Sequence, residues 1–165
     1  MMVNFETPVG CFNYRVGAII IDDEHLLLCR DARSTVWFLP GGRVEMMEAS
    51  AESLCREMRE ELATDCQVGR LVWLTENFFT LNDRPFHEIG LYYLVALPAE
   101  SPRHDKRQPL SFREAVGANM EMQWFRLSDL ASIDLRPAFL RDNLTNLPDS
   151  TQAVVIRDST KTSPH

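Results

Sequence analysis

Glu57, Glu60 and Glu61 stand at i, i+3 and i+4 within SAESLCREMREELA. On a helix that spacing brings three carboxylates onto one stripe. Like charges on adjacent turns repel one another unless a cation sits among them. Oxygen donors without thiolate or imidazole suit a hard divalent ion, Mg²⁺ or Mn²⁺. A solvated, glutamate-rich helix face has the same composition, and a charge run taken alone is usually that. The residues upstream separate the two readings. The apolar run at 36–39 ends in Pro40-Gly41-Gly42, a glycine-permitted bend. Five residues then lead to Glu48, and seven more lead to Arg56-Glu57.

Residues 42–64 resemble the Nudix box, G-x5-E-x7-R-E-U-x-E-E-x-G-U, where U is a bulky aliphatic residue. Gly42, Glu48, Arg56, Glu57, Glu60 and Glu61 match, and Met58 stands at the first aliphatic position. Ala63 replaces the last glycine and Thr64 the last aliphatic residue. Glycine there usually serves a left-handed helix cap, so Ala63 costs about 1 kcal/mol if the backbone is kept. Neither departure removes a charged group.

The resemblance implies a hydrolase that splits a diphosphate linkage in a nucleoside diphosphate derivative, of the nucleoside triphosphate or ADP-ribose and nucleotide-sugar class. It implies attack on phosphorus by a water that Mg²⁺, or Mn²⁺ as a substitute, activates. By the same resemblance Glu57 and Glu61 are the principal metal ligands, Glu60 is a third or shared one, and the Gly41 carbonyl joins them. Arg56 holds Glu48 or a neighbouring carboxylate through its guanidinium fork, or forms a plain surface ion pair. Family members take their general base from the box or from a distant loop. Glu88, Glu114 and Glu121 are the candidates outside it, and each also reads as an ordinary surface carboxylate. Trp37, Phe38, Phe79, Phe86 and Tyr92 lie on strands near the expected cleft and either face a base or pack in the core. Arg15 either meets a phosphate or sits on a solvated strand face. Trp124 reads as packing.

The elements that must hold these groups are legible in the pattern. A helix over residues 50–63 turns Ala51, Leu54, Cys55, Met58 and Leu62 toward the domain, and Glu52 and Arg59 toward water. Residues 13–21 and 25–30 read as a hairpin about Asp22-Asp23-Glu24, and residues 36–39 as a short strand. Residues 68–79 and 86–97 form a long hairpin with an aromatic face, broken at Asn82-Asp83-Arg84-Pro85. Residues 98–109, PAESPRHDKRQP, read as an exposed, mobile loop. A strand at 121–125, a helical turn at 128–130 and a helix at 137–144 with Pro137 at its first position follow. An edge strand at 153–156 closes the ordered core of about 13–156, ahead of a flexible tail. The fold class is α/β, and the resemblance implies an α/β/α sandwich with a mixed sheet between the box helix and the C-terminal helix. One domain accounts for residues 1–165.

Composition fits this reading. A chain of 165 residues with 45% apolar and 25% charged residues buries about two thirds of its unfolded surface. No run approaches the ~18 apolar residues of a membrane span. Residues 1–11 lack the basic start and apolar core of a signal peptide, so the cytoplasm is the expected location. A net charge of −7 argues against nonspecific nucleic-acid or membrane binding. It leaves room for a phosphorylated nucleotide-type ligand, because a divalent ion reverses the local field. Cys11, Cys29, Cys55 and Cys66 form no C-x-x-C pair and read as reduced thiols, and the four histidines show no zinc spacing. Homodimers are common in the family, although no segment here specifies one. A catalytically silent nucleotide-binding or regulatory module of the same fold is the alternative function, and loss of box carboxylates would favour it. A non-Nudix protein with a glutamate-rich partner-binding helix is the other.

Overall fold

A computed structural model of the chain describes residues 1–107, 109–113 and 117–157. Among these, nine strands and two α-helices run in the order β1 (Asn4–Thr7), β2 (Gly10–Ile19), β3 (Ile21–Asp22), β4 (His25–Asp31), α1 (Ser50–Leu62), β5 (Gln67–Leu81), β6 (Arg84–Ala96), β7 (Leu110–Arg113), β8 (Asn119–Arg126), α2 (Phe139–Asn143) and β9 (Gln152–Arg157). Two short 3-10 turns, Pro102–His104 and Leu127–Ser132, complete the list. The strands form two sheets, ordered β1-β2-β6-β5-β9 and β3-β4-β8-β7. The first is mixed, since β2 runs parallel to β6 and β5 parallel to β9. The second is antiparallel throughout.

Apolar layers cover both faces. Val16, Ala18, Ile20, Leu27 and Cys29 pack with Leu54, Met58 and Leu62 of α1 on one side. The alternate residues Ile19, Leu26 and Leu28 pack with Leu130, Leu140 and Leu144 on the other. Strands buried on both faces read as continuous apolar runs, as AII and LLLC do here. The fold is therefore the α/β/α sandwich expected, with one refinement: the sheet is split in two. The chain leaves the first sheet after Ile19 and enters the second at Ile21. Residues 38–44 fill the gap between them. Phe38 exchanges hydrogen bonds of 2.8 and 2.9 Å with Cys29 of β4, while the Pro40 and Gly42 carbonyls accept from Ala18 and Val16 of β2.

The expected elements shift accordingly. The first hairpin is only the β3–β4 pair, because β2 pairs with β6 in the other sheet. The β3–β4 and β5–β6 turns are each two residues long with both φ positive, at Asp23-Glu24 (46° and 58°) and Asn82-Asp83 (50° and 60°), the primed turn that matches strand twist. The four-residue break expected at 82–85 is thus tighter, and Arg84 and Pro85 belong to β6. The strand expected at 36–39 reduces to single bridges from Trp37 to Leu135 and from Phe38 to Cys29. The C-terminal helix shortens to α2, with Pro137 outside it after a cis Arg136–Pro137 bond. β1 and β7, each four residues long, were not anticipated from the sequence.

Residues 98–107 are fastened rather than loose. His104 and Lys106 both reach Asp22, at 3.0 and 2.5 Å, Arg103 donates to the Leu62 carbonyl at 2.7 Å, and Trp124 donates to the Arg103 carbonyl at 2.9 Å. All four cysteines are free thiols. Burial, then the neighbouring Cys55, push the Cys66 thiol up to about 12. No helix among the described residues is long and apolar enough to cross a membrane. The expected flexible tail lies outside the described residues.

Candidate active site

Helix α1 opens behind Ala49, whose extended backbone N–H is accepted by Glu52 Oε2 at 3.1 Å. Leu54, Met58 and Leu62 are all but sealed from solvent, which fixes the rotation of the helix about its axis. That rotation leaves Glu57 at the border between core and surface, 8% exposed, and turns Glu60 outward. At the far end Ala63 holds φ 50° and ψ 39° and donates to the Arg59 carbonyl at 3.1 Å. The left-handed cap is therefore kept without its glycine.

Arg56 is the hub of the site. Its Nε and one terminal nitrogen grip Glu48 at 2.9 and 3.0 Å. That second nitrogen also donates to the Arg43 carbonyl and to Ser53 Oγ, and the other terminal nitrogen reaches Glu57 Oε1 at 2.7 Å. The bidentate fork holds the Glu48 carboxyl far below the usual range, at about 2. A half-buried guanidinium saturated in this way positions carboxylates more firmly than a surface ion pair does. Glu60 lies 3.6 Å from the same guanidinium.

Glu57 has a different balance. Burial pushes its carboxyl up, and the hydrogen bond and charge of Arg56 offset only part of that. Its head sits against Gly42, where any side chain would collide with it. Gly41 needs its glycine as well, since φ is 135° and a Cβ would strike the Val16 carbonyl. Its N–H donates to Glu61 Oε2 at 3.1 Å. The structure thus brings Gly41, Gly42, Glu48, Arg56, Glu57 and Glu61 together, with Glu60 at the rim. The donors are carboxylate oxygens, as a hard cation wants, and a second cation would complete the compensation of Glu57. Among the described residues no three carboxylate, imidazole or thiolate groups are drawn into one cage. Glu57 is turned onto Arg56 and Glu61 onto the Gly41 amide.

Beside this cluster opens a cavity of about 660 Å³. Its walls include Asn13, Arg15, Phe38, Arg43, Asn77, Phe79, Phe86, Glu88, Tyr92 and Arg136. Phe79 and Phe86 stack face to face, centroids 5.0 Å apart. Burial pulls the Arg15 guanidinium down, and its neighbours, Glu88 first and Glu61 among them, more than restore it. No hydrogen bond or ion pair ties that guanidinium among the described residues. Burial likewise pushes the Tyr92 phenol well above its usual value.

Arg15, Phe38, Phe79 and Glu88 therefore line the cavity as expected of ligand-facing residues. Trp37 does not: it is 7% exposed, edge-on to Phe125 at 4.7 Å and under the Arg30 guanidinium. Glu121 is taken by Arg30 at 2.9 and 3.1 Å, away from the cavity, and Glu114 lies outside the described residues. Trp124 packs in the core. Asn13, Asn77, Arg43 and Arg136 were missed. A two-residue turn at Asn82-Asp83 would have paired Asn77 with Glu88, so that part of the wall was available from the sequence.

Comparison with known proteins follows the geometry. The model of the NUDIX domain matches residues 12–146. An 8-oxo-dGDP phosphatase NUDT18 from Danio rerio is 40% identical over 67 residues, which cover 38% of this chain and 21% of that protein. A diphosphoinositol polyphosphate phosphohydrolase 2 from Rattus norvegicus is 25% identical over 129 residues, covering 78% of this chain and 63% of that one. The chain thus spans from about a fifth to under two thirds of the length of these two relatives. A MutT protein from Bacillus halodurans shares the fold, with a TM-score of 0.57, 15% identity and coverage of 88% of this chain and 89% of that one. With the family model spanning most of the chain, and with Glu48, Arg56, Glu57 and Glu61 gathered at the Gly41-Gly42 bend, the chain belongs to the NUDIX domain family.

Proposed function

We propose that the chain is a Mg²⁺-dependent hydrolase that cleaves a diphosphate linkage within a nucleoside diphosphate derivative. One observation carries this reading. The glutamate cluster at the Gly41-Gly42 bend adjoins, through Arg15, a half-apolar cavity of nucleoside size. Arg15 feels both Glu61 on the cluster side and Glu88 on the cavity side, so one ligand can span the two. Glu57, Glu61, Glu60 and the Gly41 carbonyl would hold the metal, which when bound neutralises diphosphate charge and acidifies a water. Arg56 and Glu48 orient Glu57. Arg15 meets a phosphate. Among the described residues, Glu60, exposed at the rim, and Glu88, in the cavity, are the candidates for the general base.

The relatives' names offer two ligand chemistries, an 8-oxo-dGDP nucleotide and a diphosphoinositol polyphosphate. The cavity favours the first. Phe38, Phe79, Phe86 and Leu39 give a heterocycle apolar faces, whereas a polyphosphorylated ring would leave those faces unused and set phosphates against the Glu88 carboxylate. The second reading is a silent nucleotide-binding module. It draws on Glu57 and Glu61 being engaged by protein groups.

Incubating the protein with a panel of nucleoside diphosphate derivatives, with and without Mg²⁺, tests both. We expect hydrolysis only with the ion, and a loss of at least about a thousandfold in Glu57→Gln. Equal rates in the two proteins would remove the cluster from the mechanism. Binding without turnover would favour the silent module.

A further inference from the structure

Across the middle of the first sheet three polar side chains stand abreast in a row that nothing in the fold requires. Asn13 of β2 and Asn77 of β5 are both directly opposite Glu88 of β6. Asn13, Glu88 and Asn77 are 5, 7 and 6% exposed, and all three line the cavity. Adjacent strands lie about 4.8 Å apart, so the row is about 10 Å wide, enough to span the edge of a base. One long hydrogen bond, Asn13 Nδ2 to Glu88 Oε2 at 3.5 Å, joins two of its members. The Asn77 amide has no hydrogen bond among the described residues. The polar atoms of the row face the open cavity, where a ligand can supply the partners that the protein does not. The rows on either side fit a nucleotide. Phe79 and Phe86 give an apolar neighbour on one side. On the other, Arg15 aligns with Gly90, a residue with no side chain to fill the cavity.

We propose that this Asn13–Glu88–Asn77 row reads the base, and that it selects guanine through two N–H groups donated to Glu88. A carboxylate only accepts, and it accepts best from two donors side by side. Among the nucleobases guanine presents such a pair, N1–H and the 2-amino group, next to a carbonyl that an asparagine amide can bond. Adenine would set its N1 lone pair against the carboxylate, and uracil and cytosine would each set a carbonyl or ring lone pair there. The row reads this edge and makes no demand at position 8 of the purine. The inference rests on the nucleotide reading above and names the substrate class of the same site.

The test compares kcat/KM for guanosine, inosine and adenosine 5′-diphosphates and 5′-triphosphates, in the wild type and in Glu88→Gln, with Mg²⁺. Inosine lacks only the 2-amino group. We expect guanosine to exceed inosine by at least about tenfold, adenosine to fall lower still, and the guanosine-to-inosine ratio to shrink to within about threefold in the variant. A wild type that treats guanosine and inosine alike overturns the proposal while leaving hydrolysis established. So does a variant that loses rate equally on every base with its ratio intact, because Glu88 would then act at the reacting phosphate. The wild-type comparison decides the matter even if Glu88→Gln fails to fold. No hydrolysis of any nucleotide in the set would remove the reading on which the inference rests.

Discussion

Burial and charge pull Glu57 in opposite directions, and Gly42 sets where the contest is held. The carboxylate sits where a Cβ on residue 42 would fall, with Oε2 2.6 Å from that position. Gly42 carries no left-handed φ, so alanine is conformationally free there and the conflict is purely with the glutamate head. Gly42→Ala should therefore fold, with a loss of stability of about 1–2 kcal/mol, yet lose at least about tenfold in hydrolysis as Glu57 is displaced from its place beside Arg56. Thermal unfolding and steady-state rates on one preparation measure the two effects. A variant as active as the wild type would show that the position of Glu57 is not what matters. Arg56, by contrast, is overdetermined: four protein acceptors share its guanidinium, so it acts as scaffold for Glu48 and Glu57.

At the scale of elements, the segment after β6 is secured by charge. Asp22 on β3 holds both His104 and Lys106. The Lys106 and then the His104 hydrogen bonds lower the Asp22 pKa, and Asp22, followed by the Pro98 carbonyl, raises that of His104. A raised histidine stabilises the fold fully below its unfolded value of about 6.5, and that contribution fades as pH climbs through the folded value. A lowered aspartate stabilises it above about 3.9 and fails as pH falls through its folded value. The clasp is thus tightest between about pH 4 and 6.5. His104→Gln should lower the melting temperature at pH 5.5, and the gap from the wild type should narrow by pH 8.5. A gap that widened with pH would reverse the assignment.

The same scale shows what could be read beforehand. Helix α1 was legible because its apolar stripe and its carboxylate stripe have one period and no competitor. The β5–β6 hairpin was legible for its aromatic strands. Its exact register was hidden by Arg84 and Pro85, which read as turn but sit on strand ends where the missing N–H costs little. The division into two sheets was illegible because Ile19, Ile20 and Ile21 carry no break in apolar pattern where the chain changes sheet. Residues 98–107 read as loose because their anchors, Asp22, Leu62 and Trp124, are distant in sequence. Of the site, the acidic half lay in local spacing. The cavity half, Asn13, Asn77, Arg43 and Arg136, depends on pairing between strands far apart in the chain.

For the molecule as a whole, net charge and site charge have opposite tasks. A chain at −7 gives an anionic ligand no long-range attraction, so capture must come from local cations: Arg15, Arg43, Arg136 and the ion that the glutamates would hold. The strip of residues 38–44 is tied to β4 on one flank and β2 on the other, and its Gly41 amide is held by Glu61 of α1. Whatever grips those glutamates must therefore be felt along the strip and by both sheets at once. In deuterium, the amides of Val16, Ala18, Cys29 and Val44 should exchange more slowly once a nucleotide and Mg²⁺ are added together, while those of the distant β7–β8 pair keep their pace. The seam between the sheets would then serve as the protein's own reporter of occupancy, readable by mass spectrometry without a turnover event.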